Sequence, residues 1–340
     1  MKKYQLYVII LYYADVGTAG FQCLSLQCLH YYLKTETEEC PCSAERFSAE
    51  YTGDHMTGCR RVAAIQDISG LGRCSLTVVI PVLSAMGIQV CPVPTAVLSA
   101  HTGYSEFVMR DLTDFMKPAL EHYRRMNTEF DCIYSGFLAS SEQIDHCLEF
   151  FAAYPDALKV VDPVMGDDGK AYATYTDELC GRMGELVAVA DIITPNLTEA
   201  AILLKEPYPI GTITTSQAKS WLVRLSEQGA RIVVITSVNL ADGGMHTIGY
   251  DKGNNSFWKI KNDYVPAHYS GTGDMFTSVL TGSVLKGDSL PIAMNRATAF
   301  TELNVKTTYS YQKHWTEGLM LESQLPWLTG YQELGDYTNL

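Results

Sequence analysis

Residues 61–93 read RVAAIQDISGLGRCSLTVVIPVLSAMGIQVCPV. Residues 62–66 form an apolar run of strand length that ends in Asp67-Ile68-Ser69-Gly70-Leu71-Gly72. Residues 75–86 then place apolar side chains at helical spacing, Gly87 breaks the pattern, and 88–93 is apolar again. A strand, a glycine-bearing turn, a helix and a second strand make a βαβ unit, whose two strands run parallel. The pattern repeats outward. Residues 131–134 end in Ser135-Gly136, 159–161 in Asp162-Pro163, 191–194 in Pro195-Asn196 and 231–235 in Thr236-Ser237. Continuous apolar strands of this kind, such as 232–235, are buried on both faces. The expected fold is therefore α/β, a mostly parallel central sheet with helices on both faces in three layers.

Ligands of open α/β sheets bind outside the carboxyl ends of the strands. Ser69, Ser135, Asp162, Asn196 and Thr236 each follow a strand-like run, so they should converge on one crevice. Residues 94–114 are long for a connection and are expected to form a flap over it.

The ends of the chain read differently. Lys2 and Lys3 precede an apolar stretch at 4–13, too short to span a bilayer, and 31–58 shows no clear period. Residues 1–58 are set apart as an N-terminal extension, either an upstream start ahead of Met56 or an export signal. Residues 59–330 form the globular domain and 331–340 a C-terminal tail. The composition, 47% apolar and 19% charged, suits a globular chain, and the net charge of −13 argues against nucleic-acid and anionic-membrane partners. Five cysteines precede residue 60; the other five are scattered singly, as buried thiols of a reducing, cytoplasmic compartment would be. Cys40-Pro41-Cys42 lacks the second pair that a zinc site needs.

Three motifs carry chemistry. Ser270-Gly271-Thr272-Gly273-Asp274 precedes a helix-like run at 275–285. A glycine loop feeding a helix presents free N–H groups and the positive end of the helix dipole, which together cradle an anion. Asp274, at the helix start, can accept a proton from an attacking hydroxyl; its plainer role is an N-cap. Asp162-Pro163-Val164-Met165-Gly166-Asp167 puts a carboxylate at a strand end, where it can hold Mg2+ or simply open a turn. Asn196-Leu197-Thr198-Glu199 has the spacing of a capping box, and Glu199 can also hold a metal-bound water.

In this order on an alternating chain, the motifs resemble the ribokinase-like superfamily, and within it the pyridoxal (vitamin B6) kinases, from about residue 61 to 328. Gly271-Thr272-Gly273-Asp274 is similar to their anion-hole and base motif. Asp162-Pro163-Val164-Met165-Gly166 resembles their Asp-Pro-Val-Met-Gly segment, Asn196 with Glu199 their magnesium motif, and Ser135-Gly136-Phe137-Leu138 their Ser-Gly-Tyr-Leu segment. Thr95, Ser99, His101-Thr102 and Tyr104 resemble the run lining the vitamin side.

The resemblance implies an ATP-dependent kinase of the vitamer 5′-hydroxyl. Asp274 would be the base, with Gly271 and Gly273 supplying amides; Ser69, Thr95, His101 and Phe137 would lie on the substrate side. Asp162, Tyr172, Asn196, Thr236, Ser237 and Thr272 would face the nucleotide, and Asp162 and Glu199 would act through Mg2+. A monovalent cation (K+ or Na+) and a homodimer are compatible with it. Phe137 replaces a tyrosine common in these relatives, and Arg73 enters a loop that departs from their Ser-His-x-x-x-Gly pattern, free to meet a phosphate or solvent. Rival readings keep the fold: a hydroxymethylpyrimidine or sugar kinase, or a vitamin- or nucleotide-binding protein without turnover.

Overall fold

The computed structural model describes residues 59–172, 175–263, 265–330 and 335–340. The expectations for residues 1–58, the Cys40–Cys42 pair included, lie outside them. In chain order the elements are β1 (Arg61–Leu71), α1 (Leu76–Ala85), β2 (Gln89–Ala100), β3 (Met109–Asp111), α2 (Thr113–Arg125), β4 (Cys132–Ser135), α3 (Glu142–Ala153) and β5 (Leu158–Val161). A small hairpin, β6 (Gly166–Asp167) and β7 (Lys170–Ala171), leads to α4 (Asp177–Val187), β8 (Ile192–Ile193), α5 (Leu197–Leu204) and α6 (Thr215–Glu227). Then come β9 (Ile232–Leu240), β10 (Gly244–Asp251), β11 (Ser256–Lys261), α7 (Thr272–Leu285), α8 (Leu290–Ser310) and β12 (Thr338–Asn339).

The main sheet runs β12-β11-β10-β9-β8-β5-β4-β1-β2-β3. Its six central strands, β9 to β2 in that order, are parallel neighbours. Successive side chains of each strand go to opposite faces. Ala63, Ile65, Ile133, Val161, Ile193 and Val233 pack with α2 to α6 in one core. Val62, Ala64, Cys132, Tyr134, Val160 and Ile192 pack with α1, α7 and α8 in the other. Apolar residues at both parities explain the unbroken runs in the sequence, and the result is the three-layer α/β/α fold expected.

The antiparallel edges were not foreseen. β9 does not stop at Ile235; it continues to Leu240 and pairs with β10, which pairs with β11. Thr338 and Asn339 add β12 to that edge. At the other edge, the first part of the expected flap, Pro94 to Ala100, is the second half of β2, and β3 turns back onto it. Only residues 101–108 between them form a connecting loop.

Order β2-β1-β4 means that the chain reverses its direction of travel across the sheet at β1, opening a crevice between the carboxyl ends of β1 and β4. The adjoining helix start at α5 is held by a complete capping box. Asn196 Oδ1 accepts from the N–H groups of Thr198 (2.9 Å) and Glu199 (3.0 Å), and Glu199 Oε2 accepts from Asn196 N–H at 2.8 Å. Asn196 Nδ2 also donates to the Gly166 carbonyl at 2.8 Å, tying the cap to the β6–β7 hairpin. Asn196→Ala should lower unfolding free energy by about 1–2 kcal/mol. A denaturant titration with an unchanged midpoint would show that the cap does not hold this corner.

Candidate active site

β1 pairs with β4 only as far as Ile65–Ser135, then continues beside β2 to Leu71–Ala100. The β1–β2 pair therefore projects past the sheet as one wall of the crevice. A bulge interrupts it: Gln66 pairs with Pro94 and Ile68 with Val97, so Asp67 faces both Thr95 and Ala96. Bulges re-aim side chains, and this one sits where Asp67, Ser69 and Thr95 meet. All three are buried. Ser69 Oγ donates to Asp67 Oδ2 at 2.8 Å, and Thr95 Oγ1 donates to the Phe137 carbonyl at 3.0 Å. Both hydroxyl protons are thus spent within the protein, leaving these oxygens only as acceptors.

Phe137 is half-buried and stands edge-on to Tyr175 at 5.7 Å; the Tyr175 hydroxyl accepts from Leu138 N–H at 3.2 Å. His101 is a pin rather than a free group. One ring nitrogen lies 2.7 Å from the Thr316 carbonyl and the other accepts from Gly103 N–H at 3.1 Å. Arg73, open in the sequence to phosphate or solvent, is engaged within the protein. Its guanidinium pairs with Glu322 (2.6 Å) and donates to the Glu317 carbonyl (3.1 Å), fastening the β1–α1 loop to the segment after α8.

The opposite wall is the start of α7. Gly271 has φ +82°, and a Cβ there would overlap the Arg73 carbonyl oxygen, so the position requires glycine. No side chain caps this helix, and its first-turn N–H groups have no intrahelical acceptor. Thr272 Oγ1 donates to the Tyr269 carbonyl at 2.6 Å, shaping the loop from its far side. Asp274 lies in this first turn, half-buried, with Oδ2 accepting from Ser75 N–H at 2.8 Å. Burial pushes its carboxyl up to about 6; the negative charge of Asp67 adds to the shift, while the Ser75 amide opposes it.

Asp162 closes the floor. A Cβ on Gly273 would lie 3.9 Å from Asp162 Oδ2, which places that carboxylate against the glycine loop. Burial raises the Asp162 pKa, and the Asp274 charge raises it further. Glu199 is raised by burial and then by Asp162, although it accepts from both the Asn196 and Met165 N–H groups. Each of its oxygens thus accepts one backbone N–H, one in the capping box and one from the loop after Asp162.

Among the described residues no three acidic, His or Cys side chains form a metal cage. Mg2+ rarely needs one, since it is commonly bound by one or two carboxylates with phosphate oxygens and water completing the octahedron. Oxygen donors and clustered negative charge at Asp162 fit it.

The remaining nucleotide-side candidates lie along the same rim. Tyr172 is exposed just after the β6–β7 hairpin, its N–H bonded to the Met165 carbonyl at 2.9 Å. Thr236 and Ser237 occupy a second bulge: Ile235 pairs with Ile248 and Val238 with His246, so both face Thr247, and Ser237 adopts φ +58°. Thr236 also bridges Asn196, with its N–H on the Pro195 carbonyl at 3.0 Å.

Sequence reading passed over Gln66, Asp67 and Ser75. Gln66 is wholly buried and its amide oxygen and nitrogen both lack a partner, pressed against Gly136, where a Cβ would come within 2.7 Å. Two polar residues closing an apolar strand run were the available signal.

The phosphomethylpyrimidine kinase family model matches residues 80–317. A Bacteroides thetaiotaomicron protein described as a phosphomethylpyrimidine kinase, crystallised with pyridoxal, is 44% identical, covers 83% of this chain and all of its own, and superposes with a TM-score of 0.80. Pyridoxal kinase from Lactobacillus plantarum is 28% identical over 80% of this chain and 97% of its own, with a TM-score of 0.73. Pyridoxal kinase PdxY of Corynebacterium diphtheriae is 26% identical over 277 residues, 77% of this chain and 94% of that protein. With the α/β/α layers, the α7 glycine loop and its aspartate already in place, the chain belongs to the phosphomethylpyrimidine kinase family, in the ribokinase-like fold of the pyridoxal kinases.

Proposed function

We propose that this chain is a pyridoxal kinase, transferring the γ-phosphoryl group of ATP to the 5′-hydroxyl of pyridoxal, pyridoxine or pyridoxamine. The observation that carries the reading is Asp274, a carboxyl pushed up to about 6, set in the uncapped first turn of α7 behind Gly271 and Gly273. A base works best with a pKa near the operating pH. Pyridoxal in the 44%-identical relative and two named pyridoxal kinases supply the substrate class.

Asp274 takes the hydroxyl proton, the hydroxyl oxygen bonds to the γ-phosphorus, and the bond to the ADP oxygen breaks. The free N–H groups of the α7 first turn hold charge on the phosphoryl oxygens as it moves. Ser75 N–H keeps the Asp274 carboxylate oriented, and Thr95, Phe137 and the β1–β2 wall bound the ring side. Asp162 directly, and Glu199 through water, would hold Mg2+, which neutralises phosphate charge. Asn196, Thr236, Ser237 and Tyr172 line the nucleotide side. A monovalent cation there, a homodimer and a cytoplasmic location belong to the same reading. Among the described residues no helix is long and apolar enough to cross a membrane.

One observation favours a second reading: the family description and the Bacteroides relative both name phosphomethylpyrimidine kinase. ADP release measured with the three vitamers, hydroxymethylpyrimidine and ribose separates the two, and turnover of the pyrimidine alone would replace the pyridoxal assignment.

Asp274→Ala should lower kcat by about 10²–10⁴, with the KM for ATP little changed; near-normal turnover would remove the base. Because the active form is the carboxylate and its pKa is raised, kcat/KM for the vitamer should fall as pH drops through about 6. An acid limb first appearing near pH 4 would mean that Asp274 titrates as an ordinary surface carboxyl.

A further inference from the structure

Beneath the crevice floor lies a group of buried hydroxyls that no step above uses. Asp162 follows β5 and Thr194 follows β8, and the two strands are parallel neighbours, with Thr194 N–H on the Val161 carbonyl at 3.2 Å. The strand ends thus set the Thr194 hydroxyl beside the Asp162 carboxylate. Thr277 comes three residues after Asp274 on α7, on the same face of the helix and one turn deeper. Tyr134, inside β4, packs into the core that β4 shares with α7. Thr277 is 1% exposed and Tyr134 0%, so neither can meet a ligand itself. The hydrogen bonds have a direction. Thr277 Oγ1 donates to Thr194 Oγ1 at 2.9 Å. A hydroxyl carries one proton, so Thr277 has spent its own, and the Thr194 proton is the one left for Asp162. Behind Thr277, the Tyr134 hydroxyl stands within reach of Thr277 and of the Gln66 amide but makes no full hydrogen bond to either. A buried hydroxyl without a partner is costly, and a lone pair on Thr277 is free to take its proton.

We propose that Thr277, backed by Tyr134, is a positioning residue for Asp162: it turns the Thr194 proton onto one carboxylate oxygen and so leaves the other aimed at a divalent cation. The inference rests on the kinase reading for its assignment of Mg2+ to Asp162, and it adds the residues that set that carboxylate. Outer partners of this kind fix the orientation of a metal ligand without touching the metal. Placing Thr277 one turn below Asp274 also ties the two acids together: the helix that presents the base carries the support of the metal ligand.

The test measures the affinity of a non-hydrolysable ATP analogue by calorimetry, with and without Mg2+. In the wild-type chain Mg2+ should tighten binding of the analogue. Thr277→Val keeps the shape and removes the hydroxyl; it should cut that tightening about 10-fold, with the metal-free affinity and the vitamer KM unchanged. Thr277→Ser, which keeps the hydroxyl, should restore it, and Tyr134→Phe should move it in the same direction as Thr277→Val. An equal loss with and without Mg2+ would mark Thr277 as structural, and an unchanged ratio would detach it from the metal ligand; both overturn the inference. A wild-type chain whose affinity Mg2+ does not alter overturns it as well. If Thr277→Val does not fold, Tyr134→Phe decides, an unchanged ratio again overturning the inference. If the wild-type chain transfers phosphate to no vitamer, the kinase reading fails separately, and the calorimetric ratio still decides the role of Thr277.

Discussion

Negative charge gathered without a counter-charge governs this molecule. Asp67, Asp162, Glu199 and Asp274 are buried acids whose carboxyls burial raises above their ordinary pKa, and at Asp162, Glu199 and Asp274 the charge of a neighbouring carboxylate adds to it. A core of apolar strands and helices must offset that cost, and the two packed layers on either side of the sheet provide the means. Backbone amides ease the strain locally, Ser75 N–H at Asp274 and the Asn196 and Met165 N–H groups at Glu199. What they leave uncompensated is the charge that the proposed function assigns to a divalent cation.

The parallel sheet explains why these acids meet. Each follows, or lies near the end of, a parallel strand or the helix start facing one, and the reversal of strand order at β1 opens the gap between them. Gly271 makes the far wall possible by letting α7 begin against the Arg73 carbonyl, where any side chain would collide. Arg73 in turn is held by Glu322 and the Glu317 carbonyl, so the segment after α8 braces the loop from which Ser75 reaches Asp274. Loop, helix start and C-terminal segment act as one support for Asp274.

Much of this was legible from residue order. Apolar runs buried on both faces announced parallel strands, and strand-end Ser135, Asp162 and Asn196 marked the crevice. The glycine loop before 275–285 marked the uncapped start of α7. What stayed hidden depends on long-range pairing. The continuation of β9 through Thr236 and Ser237 needs the bulge against β10, and the formation of strand rather than flap from Pro94 to Ala100 needs β1 beside it. Side-chain choices were hidden for the same reason. His101 and Arg73 look available in sequence, and only their distant partners, Thr316, Glu317 and Glu322, show them occupied. Asp67 escaped notice because it sits inside a strand, where alternation alone does not reveal the bulge that sets it opposite both Thr95 and Ala96.

The central claim is that the Asp274 carboxylate faces the substrate hydroxyl across from the nucleotide's terminal phosphate. A crystal structure of the chain with pyridoxal, magnesium and a non-hydrolysable ATP analogue tests it most directly. The account requires the vitamer's 5′-hydroxyl within hydrogen-bond reach of Asp274 and the γ-phosphate on the first-turn N–H groups of α7. A ternary complex in which that hydroxyl points away from Asp274, or the phosphate lies off the glycine loop, would contradict it.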